Sequence, residues 1–198
     1  MSNSLNIVPS DNEVICVKCS QTRKTCCQVA EIYVSPGDRK RIADYTGRDD
    51  FWSFQYPGNP KYLEGADEDP LWFACVPRED GTRAALHRRP DGDCTFLGPQ
   101  GCVLPMETRP IVCRMYPYDY DINGIRPLLD VCYCPTHFLP PGRDMATELG
   151  MKIEDAVRWF EQLYEEIQTE PHARWPKQVV KAKTPASPPV QAEAKPAT

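Results

Sequence analysis

Ten cysteines stand in this chain of 198 residues, and they fall in groups. The first group is Cys16-x2-Cys19-x6-Cys26-Cys27, the second Cys94-x7-Cys102-x10-Cys113, and the third Cys132-x-Cys134. A C-x2-C turn lets two thiolates converge on one metal from a tight loop, which is why zinc and iron–sulfur sites use it. One pair alone would be weak evidence. Groups far apart in sequence, each beside turn residues, point to loops that converge on a shared site. The expected ligands are Cys16, Cys19, Cys26, Cys27, Cys94, Cys102, Cys113 and Cys134. Eight thiolates would divide into two four-thiolate centres. The adjacent Cys26 and Cys27 would serve different centres, or one centre plus a packing role, if their backbone is extended, because neighbouring side chains then point to opposite sides. Cys75 lies alone in the apolar run Trp72-Phe73-Ala74-Cys75-Val76 and reads as a small buried hydrophobe.

The residues around the second group carry a resemblance. Cys94-Thr-Phe-Leu, Gly101-Cys102-Val-Leu, Thr108-Arg109-Pro110, Cys113-Arg114-Met-Tyr116-Pro117 and Cys134-Pro135 resemble the signature of the YkgJ-type cysteine-cluster family. That family is described as zinc- or iron-chelating. The similarity covers about residues 16–137 and implies metal binding rather than a defined reaction. The first group departs from the pattern: six residues separate Cys19 from Cys26, where the family usually has two. Either that loop is enlarged, or Cys19 is not the equivalent ligand. Cys132 is extra and could replace Cys134. A related cysteine pattern occurs in flagellin lysine methylases, which are larger; nothing in this chain adds a recognisable methyl-donor pocket.

Arg109 and Arg114 bracket Cys113, and cationic donors beside thiolates favour the ionised form. His137 follows Cys134 at a ligand-like spacing but sits among prolines, as solvent-facing histidines often do. His87 and His172 have less support. No Ser-His-Asp order, phosphate loop or dinucleotide glycine pattern is present.

Bulk properties narrow the class. The net charge of −5 is no footprint for nucleic acid. No stretch approaches the 18 or so apolar residues of a membrane span. Met1 to Val14 lacks a basic start followed by an apolar run, so no export leader and a cytoplasmic location are expected. Thiols in that compartment stay reduced, which favours metal over disulfides. The function expected is binding of zinc or iron, or an iron–sulfur cluster. The competing readings are an iron–sulfur redox or enzyme component and a disulfide-stapled interaction module.

The elements that must position these thiols are short. Val29 to Val34 reads as a strand. Ser35-Pro36 opens a helix that runs to about Tyr45 and stops at Gly47. Asp49 to Trp52 could form a helical turn, and residues 56–70 a solvated loop. Arg83 to Arg89 and Cys94 to Leu97 read as a hairpin through Asp91-Gly92. A short helix is expected at 109–116, and a second hairpin around Asn123-Gly124. The clearest helix spans about Lys152 to Gln168, with Val157, Phe160, Leu163, Tyr164 and Ile167 on one face. The fold class expected is α+β: a small, irregular, metal-stapled domain with short strands and a C-terminal amphipathic helix. Its divisions are a flexible lead at 1–15, a cysteine-cluster domain at 16–143, a helical segment at 144–175 and a disordered tail at 176–198.

Overall fold

The computed structural model describes residues 18–20, 24–99, 101–127 and 136–183. It mixes helices with short antiparallel strands, as an α+β chain should. The helices are α1 (Cys26–Val29), α2 (Pro36–Thr46), α3 (Pro70–Cys75), α4 (Ile111–Met115), α5 (Met145–Glu148) and α6 (Ile153–Ile167). The strands form three two-stranded antiparallel pairs: β1 (Trp52–Gln55) with β2 (Arg83–Leu86), β3 (Leu97–Gly98) with β4 (Gly101–Cys102), and β5 (Tyr118–Asp121) with β6 (Gly124–Pro127). No helix among the described residues is long and apolar enough to cross a membrane.

The amphipathic helix α6 organises the core. Ala156, Trp159, Phe160, Leu163, Tyr164 and Ile167 are buried along it at spacings of three and four. This face packs against α2, α3, α4 and β6. Each large apolar side chain buried is worth about 1.5–3 kcal/mol. Like-charge crowding on the wet side costs only a few tenths of a kcal/mol per pair. Burial therefore decides that this acidic segment is helical. Val157, expected on the inner face, is half-buried at its margin.

Helix α2 begins as its sequence dictates. The Asp38 amide donates to Ser35 Oγ at 3.0 Å, the Ser35 amide returns a bond to Asp38 Oδ2 at 3.1 Å, and Pro36 takes the first turn. Gly47 closes the helix at φ +67°, donating its amide to Ala43. Asp38 does more than cap. Its Oδ1 accepts the amide of Ile111, the first residue of α4, at 3.1 Å, and pairs with Arg41 at 2.6 Å. Arg41 also pairs with Glu166 on α6. Burial would lift Glu166, but bonds from Arg41 and Ser35 hold it below the usual carboxylate range. Burial lifts Asp38 above that range in spite of Arg41.

Several expected elements differ. Val29, expected to open a strand, instead ends a helical turn at 26–29, whose start is marked by the Thr25 amide donating to the Gln28 side chain at 3.0 Å. Only Tyr33 of that stretch makes a β contact, an isolated bridge to Ala85. The hairpin expected between Arg83–Arg89 and Cys94–Leu97 shrinks to one bridge, Arg88 to Cys94. β2 is buried throughout and takes β1 as its partner instead, with Tyr33 on its other edge. Asp50 and Phe51 form a turn into β1 rather than a helical turn. Helix α3 was not anticipated. Asp69 caps it by accepting the Trp72 amide at 3.0 Å, and Pro70 occupies its first turn. The hairpin at Asn123-Gly124 is present, with Asp121 opposite Gly124.

Residues 176–183 lie along the body. The Gln178 amide donates to Gln168 Oε1 at 2.7 Å, Lys181 pairs with Glu161 at 2.8 Å, and Val180 and Ala182 pack on the core. The lead at 1–15 and the remainder of the expected tail, 184–198, lie outside the described residues.

A Cβ added at Gly37 would fall on the Glu166 carboxylate. Gly37→Ala should therefore destabilise the protein by about 1–3 kcal/mol through displaced ion pairs and overpacking. That outweighs the gain of about 1 kcal/mol that alanine brings to a helix. A denaturant midpoint at or above that of the parent would contradict the packing described.

Candidate metal centre

Four of the expected ligands share one neighbourhood, and each reaches it on a different element. Cys27 lies on α1, Cys94 at the bridge to Arg88, Cys102 in β4 and Cys113 on α4. The Cys94 amide donates to the Cys27 carbonyl at 3.0 Å, locking the first cysteine group to the second. β3 folds back on β4 so that Leu97 faces Cys102, and the Val103 amide donates to Phe96 at 3.0 Å. The turn at Pro99 and Gly101 closes this ribbon, with Gly101 at φ +103°. Helix α4 is held by its Ile111 amide on Asp38.

Electrostatics tie the four together. Burial pushes the Cys113 thiol well above its ordinary value, and Cys27, Cys94 and Cys102 each push it further. Burial also lifts Cys94, with Cys27 and Cys102 adding to it. Cys27 is raised by its hydrogen bond with the Cys26 side chain, then by burial, while Arg109 and Arg88 pull the other way. Cys27, Cys94 and Cys113 therefore resist ionisation alone. A bound cation reverses that balance, because it stabilises the thiolate form of every ligand at once.

Among the described residues, no group of three or more His, Cys, Asp and Glu side chains is arranged to hold a metal ion as it stands. The four thiols are neighbours without being drawn into coordination geometry. Their chemistry fits zinc or iron: four soft sulfur donors from separate elements suit a tetrahedral thiolate site.

Cys26 joins this neighbourhood through Cys27. The pair sits on a helical turn, so the expectation that extended backbone would send them to opposite sides does not apply. Cys19 is buried in the helical residues 18–20. Cys16, Cys132 and Cys134 lie outside the described residues. His137 is exposed, its ring 4.2 Å from that of Phe138. His87 bonds to the Asp50 carbonyl and Ser53, and His172 to the Val76 carbonyl.

The two arginines beside Cys113 part company. Arg109 bears on Cys27 and donates to the Leu104 carbonyl at 2.9 Å. Arg114, only 1% exposed, turns to Glu107 at 3.0 Å and Asp38 at 3.6 Å. Arg88 takes the place expected of Arg114 and acts on both Cys27 and Cys94. Its sequence setting, an Arg-Arg-Pro-Asp-Gly turn, carries no signal for this.

Two open clefts lie elsewhere on the surface. One, of about 660 Å³, is lined by residues including Arg39, Trp52, Phe54 and His172. The other, of about 370 Å³, is lined by residues including Phe51, Phe96 and Val103. Neither is lined by a cysteine. No protein-family model, curated protein or solved structure matches the chain.

Cys75 stands apart from the cluster. It is fully buried on α3, and burial pushes its thiol up to about 11. The charges that reach it are those of Asp69 and Glu170 rather than other thiols. Cys75→Ser should cost about 1–3 kcal/mol, the penalty of a poorly satisfied hydroxyl in an apolar site. A melting temperature equal to that of the parent would show that the position is not packed as described.

Proposed function

We propose that this chain binds zinc or iron through cysteine thiolates, with Cys27, Cys94, Cys102 and Cys113 as one centre. The observation that carries this reading is the convergence of four thiols from four separate elements. Core packing does not require such convergence, whereas a tetrahedral thiolate site does. The resemblance of Cys94, Cys102 and Cys113, with their flanking residues, to a chelating cysteine-cluster family supports the same reading. Cys16, Cys19, Cys26 and Cys134 are the candidates for further ligands, in a second centre or an enlarged one.

The bound metal would cross-link α1, the Cys94 turn, the β3–β4 ribbon and α4. These elements are short, and the longest of them, α4, has five residues. Helices this short are not stable alone in water. The energy of metal binding thus becomes folding energy for this half of the molecule, while α6 and its apolar partners sustain the other half.

Anaerobic purification followed by elemental analysis and visible absorption tests the reading. Colourless protein containing zinc supports a structural zinc centre. Brown protein with iron and inorganic sulfide supports an iron–sulfur component. Protein that is folded and free of both metals overturns the proposal.

Chelation should lower the melting temperature strongly, and re-addition of metal should restore it; an unchanged melt after verified removal would contradict a stabilising role. Cys113→Ser should lose most of the metal of its centre, because no other thiol lies on α4 to replace it. Cys75→Ser should retain the parental content. Equal loss in the two would mean that the wrong cysteines have been assigned.

A further inference from the structure

We propose that Arg88 is a positioning residue of this centre: its guanidinium clasps the α1 segment to the Cys94 turn, so that Cys27 and Cys94 meet the metal as a preformed pair. The inference rests on the reading of the cluster as a metal centre.

The two thiols are far apart in sequence, so something must hold their segments in register before metal arrives. Arg88 Nη2 donates to the Ala30 carbonyl at the end of α1. Its Nη1 donates to the Gly92 carbonyl in the turn before Cys94. One planar group thus spans both ligand-bearing segments. Two further ties run beside it: the Cys94 amide to the Cys27 carbonyl at 3.0 Å, and Gln28 Nε2 to Asp93 Oδ1 at 2.9 Å. The backbone of Arg88 itself bridges to Cys94.

The charge of Arg88 is placed differently from that of its neighbour. Arg89 is paired with Asp93 at 3.0 Å and Asp91 at 3.5 Å. Among the described residues no carboxylate pairs with Arg88; its edge faces carbonyls, and its positive charge lies close to Cys27 and Cys94. Two functions therefore meet in one side chain, a geometric tether and a counter-charge for thiolates. Lysine can supply the charge but not the fixed two-pronged span. Groups that orient metal ligands typically account for 10–100-fold in affinity.

The test compares Arg88→Lys, Arg88→Gln and Arg83→Lys in the full chain, measuring zinc affinity by competition with a chromogenic chelator. Arg83 is a buried arginine stacked over Tyr62 at 3.9 Å, outside the cluster, and controls for general destabilisation. Both Arg88 variants should bind zinc at least about tenfold more weakly than the parent, and Arg88→Gln more weakly than Arg88→Lys. Arg83→Lys should lower the melting temperature and leave affinity unchanged. At saturating cobalt, Arg88→Lys should keep the parental thiolate-to-cobalt charge-transfer intensity, because the ligands are the same and only their presentation is impaired. Parental affinity in Arg88→Lys with loss in Arg88→Gln would overturn the clasp and leave charge alone. Affinity unchanged in both, or reduced equally in Arg83→Lys, would overturn any positioning role. A parent chain that takes up neither zinc nor cobalt would refute the metal-centre reading itself, and this inference with it.

Discussion

One buried carboxylate joins the two halves of this protein. Asp38 is fully enclosed, and an isolated charge there would cost several kcal/mol. It is sustained by what it organises: the cap of α2, the first amide of α4, the Arg41 guanidinium and, at longer range, Arg114. Through Arg41 the same network reaches Glu166 on α6. The apolar core and the cysteine-bearing segments are thereby in register, because α4 carries Cys113 at its centre and packs on α6. Removing one partner from such a buried set typically costs about 3–5 kcal/mol, far more than the net worth of an exposed pair.

From that junction outward the order of control changes. Around α6, hydrophobic burial dictates structure, and Leu163, Phe160 and Ile167 leave no accessible surface. Around the thiols, the elements are turns and two-residue strands, held by single hydrogen bonds and by the Arg88 span. Such elements have little stability of their own. They gain it from neighbours and, in the reading proposed, from a metal that needs four sulfur ligands at once.

How much of this was written in the sequence depends on the range of the interaction. Helix α6 and the bounds of α2 were legible because periodicity, Ser35-Pro36 and Gly47 are local signals. The Asn123-Gly124 hairpin was legible for the same reason. Helix α3 had a local signal too, Asp69-Pro70, which the acidic loop around it obscured. Partner choice was not legible. That Arg83–Leu86 pairs with Trp52–Gln55 rather than with the Cys94 segment follows from burial on both edges of β2, a tertiary fact. Within the candidate site, cysteine spacing raised the expectation of a shared metal site; Cys27, Cys94, Cys102 and Cys113 lie near one another but not in coordination geometry. Spacing could not foretell that Cys26 and Cys27 share a helical turn, that Arg114 turns inward to Asp38, or that Arg88 stands beside the thiols.

The central claim is that sulfur from four separate elements forms one metal-binding shell. X-ray absorption at the metal edge of protein purified anaerobically tests this most directly. The account predicts a shell of sulfur scatterers at about 2.3 Å, the distance of a metal–thiolate bond. A shell made up of oxygen or nitrogen, or no bound metal in folded protein, would contradict it.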